Sequence, residues 1–291
     1  MILQTKHKIL LASLAYQPIR LVRNLFGLAD KGRFKRGGFE WELDLSEVVD
    51  FMIYLTGGFE TSLNRFIRKN LREGMVALDI GANIGAHSLG MAQAVGPKGK
   101  TYAVEATEYA YSKLTRNIVL NPCITPQIEP LHSMLIAGDA ASGGDIPVEE
   151  IPASWPFKTK EERHHTHQGV YKKVGGAERI SLDSLIHRLG INQLNLVKID
   201  VDGNEHDVLH GGRLTFTQMK PVIVMEVALD YHETTDSRSF QNIHKLLTAY
   251  GYRLHKLNGR PLPDTIQGLQ QVIPPGSSLN VLALPIDHRT S

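Results

Sequence analysis

The chain has 291 residues, of which 42% are hydrophobic and 21% are charged, and its formal net charge is +2. This length predicts one generous domain, or one domain with an added N-terminal segment, that buries its core without cross-links. The small net charge gives no indication of a nucleic-acid partner. Cys123 is the only cysteine, which excludes an intramolecular disulfide and is typical of a protein of the reducing cytoplasm.

The first 36 residues differ from the rest in charge, because they hold eight Lys or Arg and a single acid, Asp30. Apolar residues recur among them at Ile9, Leu10, Leu14, Leu21, Val22, Leu25 and Phe26. The uncharged stretch from Ile9 to Ile19 contains Pro18 and is too short to span a bilayer, and no signal-peptide cleavage site follows it. Two interpretations stay open: a helix that packs on the domain or on a second copy in a homodimer, and a basic amphipathic segment at a membrane surface.

Strand and helix patterns alternate from residue 75 onward. The predicted elements are a strand over 75–80, a helix over 84–95, a strand over 101–105, a helix over 108–120 and a strand within 127–136. After a long irregular stretch come a helix over 182–189, strands over 194–201 and 221–227, a helix over 240–250 and weaker strands over 252–257 and 279–284. Such alternation predicts an α/β fold with a mostly parallel sheet and helices on both faces.

An acidic residue closes four of these strands, and the four are Asp79, Glu105, Asp200 and Glu226. In an open parallel sheet the ligand binds beyond the carboxyl ends of the strands. Helix capping would explain one or two acids at these positions. Four of them predict a polar site that tolerates a cation.

The turn after the first of these strands carries a glycine pattern that reads Asp79-Ile80-Gly81-Ala82-Asn83-Ile84-Gly85. A dinucleotide-binding turn has glycine where this chain has Asn83, so that pyrophosphate can approach the backbone. An NAD-dependent oxidoreductase is therefore disfavoured. The spacing of Asp79, Gly81 and Gly85 instead fits methyltransferases that use S-adenosylmethionine, a ligand with a sulfonium cation and no phosphate.

Further residues are expected to complete this cofactor site. Glu105, followed by Ala106, ends the second strand and can accept hydrogen bonds from both ribose hydroxyls. Asp139 comes after the third strand and is either an acceptor for the adenine amino group or a turn residue.

From about Trp41 to Pro285 the sequence resembles the FkbM-type methyltransferases. The blocks that carry the resemblance are 41–44, 54–60, 79–85, 181–185, 197–205 and 280–285. The most specific of them is Lys198-Ile199-Asp200-Val201-Asp202-Gly203-Asn204-Glu205, in which the family usually has Glu at the position of Asp202.

The resemblance implies the Rossmann-like fold of class I methyltransferases. It also implies an S-adenosylmethionine-dependent O-methyltransferase that acts on hydroxyls of sugars, polysaccharide units or polyketide-like natural products. Glu60 is then expected to close over the cofactor tail, or else to begin a helix. We expect an N-terminal helical or cap segment over 1–60 and a methyltransferase domain over 61–291, with a substrate-loop insertion at about 141–178.

Methyl transfer to a hydroxyl needs a group that removes its proton. The catalytic candidates are Asp200, Lys198, Glu226 and His206, and Asp200 is preferred because it ends a strand beside the expected sulfonium. Lys198 shares a strand face with Asp200. It is expected to hold Asp200 or Glu226 or to contact the acceptor, unless the ion pair only fixes the sheet edge.

Four residues are expected to contact the acceptor, and they are Trp155, His167, Asp202 and Glu205. Trp155 could stack on a sugar ring. His167 belongs to either an acceptor-binding lid or a solvated polar loop, because its spacing from the neighbouring histidines is no zinc pattern. Asp200, Asp202 and Glu226 could also present oxygens to Mg²⁺, although acids beside a sulfonium need no metal to explain them.

Alternatives within and outside this enzyme class stay open. The acceptor could be a carboxyl or an amine, or the chain could be a binding module without catalysis. The expected partner is a small-molecule or saccharide acceptor, since the catalytic half shows no broad basic face with interleaved aromatics for nucleic acid. The expected location is the cytoplasm, with possible peripheral contact to a membrane through the N-terminal segment.

Overall fold

A central sheet determines where the chain brings its polar residues together. The computed structural model describes residues 5–138, 149–163, 168–227, 240–274 and 277–286. Within these ranges the strands are β1 Lys31–Arg36, β2 Phe39–Asp44, β3 Val76–Ile80, β4 Lys100–Glu105, β5 Ile128–Leu135, β6 Glu150–Ser154, β7 Val170–Lys173, β8 Glu178–Ile180, β9 Leu196–Ile199, β10 Val222–Val227, β11 Tyr252–Lys256 and β12 Leu279–Pro285.

Helices follow most of these strands. They are α1 Thr5–Leu25, α2 Val48–Thr56, α3 Thr61–Asn70, α4 Ser88–Val95, α5 Glu108–Val119, α6 Leu182–Arg188, α7 Glu205–Gly211, α8 Phe240–Ala249 and α9 Ile266–Val272. Capping residues explain where several begin, because the Thr107 hydroxyl accepts from the Ala110 N–H and the Ser181 hydroxyl accepts from the Ser184 N–H. No helix in the described part of the chain is long and apolar enough to cross a membrane.

Eight of the described strands form one sheet in the order β11-β12-β10-β9-β3-β4-β5-β8. Its pairs are parallel from β10 to β8, whereas β12 runs antiparallel to both β10 and β11. The carboxyl ends of β3, β4, β9 and β10 therefore lie at one edge. The register confirms this, because Asp79 of β3 is level with both Lys198 and Ala103.

Successive strand residues pack on opposite faces of the sheet, as the period of two requires. Leu78 lies in a core with residues of α6 to α9, whereas its neighbour Ala77 packs with residues of α3 and α4. This arrangement confirms the predicted α/β fold with a mostly parallel sheet and helices on both faces.

The N-terminal segment contains a β-hairpin and a second helix in addition to α1. After α1, strands β1 and β2 form an antiparallel hairpin that the sequence analysis did not predict, and α2 follows. Trp41 of the hairpin and Phe51 of α2 are buried in one core with Leu114 of α5. A buried ion pair between Lys113 and Asp50, with an N–O distance of 2.8 Å, joins α5 to α2.

The insertion also has regular structure where the sequence shows no periodicity. Strands β6 and β7 form an antiparallel hairpin, and β8 adds to the sheet beside β5. Short strands with irregular spacing give no pattern long enough to detect, so the sequence alone predicts a loop here. The division of the chain at residue 60 stays a prediction.

Candidate active site

Two loops cross at the carboxyl edge of the sheet, and Gly81 lies at the crossing. Its φ of +77° is in the left-handed region, and a side chain there would overlap with the backbone carbonyl of Asp200. The Gly81 N–H also donates to the Val104 carbonyl at 3.0 Å. Only glycine allows the loop after β3 to pass this closely over the loop after β9.

Asn83 occupies the position where the dinucleotide pattern has glycine. Its φ is +50°, a conformation that Asn tolerates better than most residues. Its N–H donates to a carboxylate oxygen of Glu105 at 2.9 Å. The turn can therefore keep a glycine-like backbone without glycine, and it is connected directly to the end of β4.

Glu105 is 5% exposed and lies at the end of β4. Its other carboxylate oxygen accepts from the N–H and the hydroxyl of Thr107, at 2.8 and 2.7 Å. Burial raises the pKa of Glu105, and the hydrogen bonds from Thr107 and Asn83 only partly offset this. Glu105 is thus a fixed acceptor at the position expected for a ribose-binding carboxylate.

A buried cation lies between the ends of β3 and β9. The Lys198 ammonium is 3.2 Å from Asp79 Oδ1 and 3.4 Å from Asp200 Oδ2, and it donates to the Gly81 carbonyl at 3.2 Å. Burial alone would lower the pKa of Lys198, but the carboxylates of Asp79 and Asp200 outweigh it and raise the pKa above its ordinary value. The Lys198 ammonium therefore lies between the carboxylates of Asp79 and Asp200 and fixes the position of Asp200. No hydrogen bond or ion pair in the described structure joins it to Glu226, the other partner that the sequence analysis considered.

Asp200, Asp202 and Glu226 form an acid cluster in which each offers a carboxylate oxygen within 4.8 Å of the others. Burial and the neighbouring acids, including Asp202 and Glu60, raise the pKa of Asp200, while Lys198 opposes the rise. Burial and the charge of Asp200 raise the pKa of Glu226 well above its ordinary value. The cluster can therefore bind either a proton or a positively charged group.

A second group of polar residues, which centres on Glu60, lies at the same end of the site. Glu60 has a left-handed φ of +47° directly before α3, and it accepts from the Asn280 amide at 2.9 Å. His87 Nε2 lies 3.6 Å from Glu60 Oε2, and His87 Nδ1 is 3.0 Å from Asn64 Oδ1. Burial alone would raise the pKa of Glu60, but His87 and Asn280 bring it below its ordinary value.

These residues surround a cavity of about 450 Å³. Seven of the nine described residues expected to bind the cofactor line it, and they are Glu60, Gly81, Ala82, Asn83, Glu105, Ala106 and Asp200. Asp79 and Gly85 do not line the cavity. Asp79 is fully buried and accepts from the Ser88 hydroxyl at 2.6 Å, and Gly85 packs near Leu114. Their role is to hold the turn and Lys198 in place.

The other end of the cavity is apolar and is built by the N-terminal segment and the insertion. Its residues include Ile9, Ala12, Val48, Val49, Met52, Ile151, Pro152, Ala153 and Trp155. Glu47, just before α2, joins the two parts, because its carboxylate accepts from the Ser154 hydroxyl at 2.8 Å and from the Trp155 N–H at 2.7 Å. Trp155 thus lies at the cavity, and its contact with an acceptor stays a prediction.

Two residues expected to take part in catalysis or acceptor binding also do not line the cavity. Glu205 is buried at the start of α7, where it accepts from the N–H groups of Val201 and Gly203. His206 points away, with Nδ1 3.4 Å from Asp207 Oδ1 and its ring beside His210. Glu205 therefore stabilises the loop before α7. His206 lies on a side of α7 that does not contact the cavity. Asp139 and His167 lie outside the described residues.

Some residues of the site were missed by the sequence analysis. His87, Asn64 and Glu47 have no motif around them, because their roles depend on contacts between distant elements. Asn280 stood in a block that the family resemblance included, but its bond to Glu60 spans 220 positions of the chain. Of these, Asn280 alone had a detectable signal.

Comparison with a family model gives a match over residues 79–254, and the model is described as the methyltransferase FkbM domain. Methyltransferase sdnD of Sordaria araneosa is 27% identical over 168 residues, which cover 49% of this chain and 62% of the relative. Hexuronic acid methyltransferase AglP of Haloferax volcanii is 28% identical over 165 residues, which cover 57% of this chain and 61% of the relative. The chain thus spans about three fifths of the length of these curated relatives.

Comparison with solved structures gives matches that include the following two proteins. Methyltransferase FkbM of Methylobacillus flagellatus has a TM-score of 0.43 and 14% identity, with 76% of this chain and 50% of that chain covered. Fibrillarin of Aeropyrum pernix, crystallised with natively bound S-adenosylmethionine, has a TM-score of 0.43 and 14% identity, with 87% of this chain and 82% of that chain covered.

Proposed function

The chain belongs to the FkbM methyltransferase family, and we propose that it transfers the methyl group of S-adenosylmethionine to a hydroxyl oxygen of a saccharide or polyketide-like acceptor. Its sheet has the Rossmann-like class I methyltransferase fold that the sequence predicted. The observation that carries the proposal is the cavity at the strand ends, where the glycine turn, Glu105 and the acid cluster meet an apolar chamber.

The residues present fit this cofactor. Glu105 faces the cavity with both oxygens fixed, as an acceptor for two ribose hydroxyls requires. Around the opposite end, the acids Asp200, Asp202, Glu226 and Glu60 outnumber the cation Lys198, which favours a ligand with positive charge. When bound, S-adenosylmethionine supplies a methyl group already activated by its sulfonium.

The acid cluster is suited to remove the acceptor proton. A carboxylate whose pKa is raised toward neutrality accepts a proton more effectively than an ordinary one. Asp200 would accept the proton of the acceptor hydroxyl when that oxygen bonds to the methyl carbon, and the electron pair of the carbon–sulfur bond would remain on sulfur. Lys198 acts as a positioning residue, because its buried ammonium lies 3.4 Å from Asp200 and opposes the rise in the pKa of that carboxyl.

The cavity also favours a hydroxyl over a carboxyl acceptor. A carboxylate brought beside the acid cluster would be repelled by like charge, whereas a neutral hydroxyl would not. Trp155 and the apolar residues around it suit the apolar face of a sugar ring or of a polyketide-like molecule. The hexuronic acid in the name of the Haloferax volcanii relative has both hydroxyl and carboxyl groups, so the test must separate an ether from an ester.

The experiment incubates the full chain with methyl-labelled S-adenosylmethionine and a panel of hexuronic acids, neutral sugars and polyketides. We expect a labelled product whose methyl group resists mild alkaline hydrolysis, as an ether does. Asp200→Asn should abolish turnover, because it removes the proposed proton acceptor. A label released by mild alkali would show ester formation and contradict hydroxyl methylation. Transfer to none of these acceptors by a protein that binds the cofactor would contradict the proposed acceptor class.

A further inference from the structure

The outer face of α1 is apolar and exposed. Leu10, Leu14, Leu21, Val22, Leu25 and Phe26 are each more than half exposed. On the opposite side of the same helix, Ala12 and Tyr16 are buried, and the ring of Tyr16 stacks on Phe157 at 4.6 Å between centroids. The helix is thus fixed to the domain along one side and presents its larger apolar residues to the outside.

Four of these exposed residues form an apolar stripe, in which exposed Gln17 and Pro18 separate Leu14 from Leu21. Positions 10, 14, 21 and 25 are separated by multiples of about 3.6 residues and therefore share one side of a helix. Phe26 extends the stripe into the turn after α1, where it is 76% exposed. Single exposed apolar residues are ordinary on protein surfaces, but an apolar stripe about five turns long is typical of an interaction surface.

The charge of this part of the chain indicates what covers the stripe. The first 36 residues carry a formal charge of +7 in a chain whose total is +2, so the remaining residues carry −5. Lys31, Arg33 and Lys35 of β1, directly after α1, are exposed. Apolar residues combined with an excess of basic ones are typical of helices that lie in the surface of an anionic bilayer.

A second copy of the chain fits this surface less well. A symmetric dimer through the outer face of α1 would bring two segments of charge +7 together. The two positively charged segments would repel each other, whereas anionic headgroups would attract them.

We propose that the outer face of α1 lies in the surface of an anionic lipid bilayer, with its apolar side chains below the headgroups. Ile9 and Ala12 of the same helix line the catalytic cavity. Docking would therefore hold the acceptor end of the cavity at the membrane surface, whatever the acceptor is.

The test mixes the full chain with vesicles of phosphatidylcholine alone or of phosphatidylcholine with phosphatidylglycerol and measures co-sedimentation. The test variant combines Leu21→Glu and Leu25→Glu on the outer face of α1. The matched control combines Val119→Glu and Leu214→Glu, which places the same charges on apolar residues that are 72% and 45% exposed elsewhere. Circular dichroism verifies the fold of each protein, and sedimentation velocity without vesicles gives its oligomeric state.

We expect the unchanged chain and the control to bind anionic vesicles at least about tenfold better than neutral ones, and the α1 variant to lose this binding. High salt should weaken the binding of the unchanged chain. No vesicle binding, equal binding to neutral vesicles, or equal loss in the control would each overturn the proposal. A dimer that the α1 variant converts to a monomer would show instead that a second copy covers the stripe.

Discussion

At the scale of single residues, the absence of a side chain at Gly81 allows the loops after β3 and β9 to pass close to each other. We expect Gly81→Ala to destabilise the protein by roughly 3 kcal/mol or more, because the methyl group adds overlap with the Asp200 carbonyl to the strain of a left-handed φ. Gly74→Ala is the matched control, since its φ is +85° and nothing lies within 4 Å of the added carbon. Its cost should be about 1 to 2 kcal/mol. Urea denaturation measures both, and equal losses would contradict the crossing of the loops.

Glu205 is a buried residue whose ionisation costs stability. Burial, together with the charges of Asp202 and Asp200, raises its pKa to about 7, despite hydrogen bonds from backbone N–H groups that lower it. An acid whose pKa is raised in the folded state contributes most favourably below its unfolded pKa of about 4.3, and this contribution is lost as the pH rises through the folded pKa. The loss therefore falls mainly between about pH 5 and pH 8.

We expect Glu205→Gln to gain stability relative to the unchanged chain by about 2 to 3 kcal/mol more at pH 8 than at pH 5, since Gln cannot ionise. Denaturant unfolding at several pH values measures the difference. Glu150→Gln, an isosteric exchange at an exposed carboxylate, should show no such trend. A pH-independent effect of Glu205→Gln would mean that Glu205 titrates normally.

The acid cluster offers oxygens of the type that Mg²⁺ binds, but its charge is already partly compensated. Lys198 lies 3.4 Å from Asp200, and the raised pKa of Glu226 favours its neutral form. We therefore expect methyl transfer to persist unchanged after dialysis against EDTA. A loss of turnover that Mg²⁺ restores would show that the cluster holds a metal.

From the sequence, site residues could be located where a predicted strand ends. The positions of Asp79, Glu105, Asp200 and Glu226 follow from short apolar runs that end in an acid, so their meeting at one edge was predictable. Which way each side chain points was not. Glu205 and His206 follow the same block as Asp200, but the turn into α7 directs them away from the cavity.

At the scale of elements, Glu47 connects the insertion to the start of α2. We expect Glu47→Ala to raise the KM for the acceptor and to leave the Kd for the cofactor unchanged, because the bonds to Ser154 and Trp155 are lost only at the acceptor end. Glu161→Ala is the control, since it removes a carboxylate of the insertion that contacts Lys172 in an exposed pair. Steady-state kinetics and calorimetry separate the two constants. A weakened cofactor Kd with an unchanged acceptor KM would contradict this role.

Elements were predictable in proportion to their length and burial. The strands around Asp79 and Lys198 are apolar on both sides, so β3 and β9 were found within about two residues of their ends. The hairpin of β1 and β2 was not predicted. Exposed Lys and Arg residues alternate along β1, and the residues between them can be explained only from the folded core. Its pairing is visible only once Trp41 is seen buried beside Phe51.

At the scale of the whole molecule, the two halves of the cavity have different origins. The family match covers residues 79–254, which contain the glycine turn, Glu105 and the acid cluster. The apolar end begins with Ile9, Ala12 and Val48, which lie before the matched region. Most residues that the sequence assigned to the cofactor therefore lie together at the cavity, and their binding of the cofactor stays a prediction. Most of the apolar end was not predicted, because contacts between α1, α2 and the insertion follow no local pattern.

The most direct test of the account is calorimetric titration of the full chain with S-adenosylmethionine, S-adenosylhomocysteine and NAD, with Glu105→Gln alongside. We expect both sulfur ligands to bind and NAD to give no heat of binding. Glu105→Gln should weaken the binding of both by about tenfold or more, since a carboxylate acceptor for the ribose hydroxyls is lost. Binding of NAD, or sulfur ligands that bind the Glu105→Gln variant as tightly as the unchanged chain, would contradict the assignment of the cavity at the strand ends.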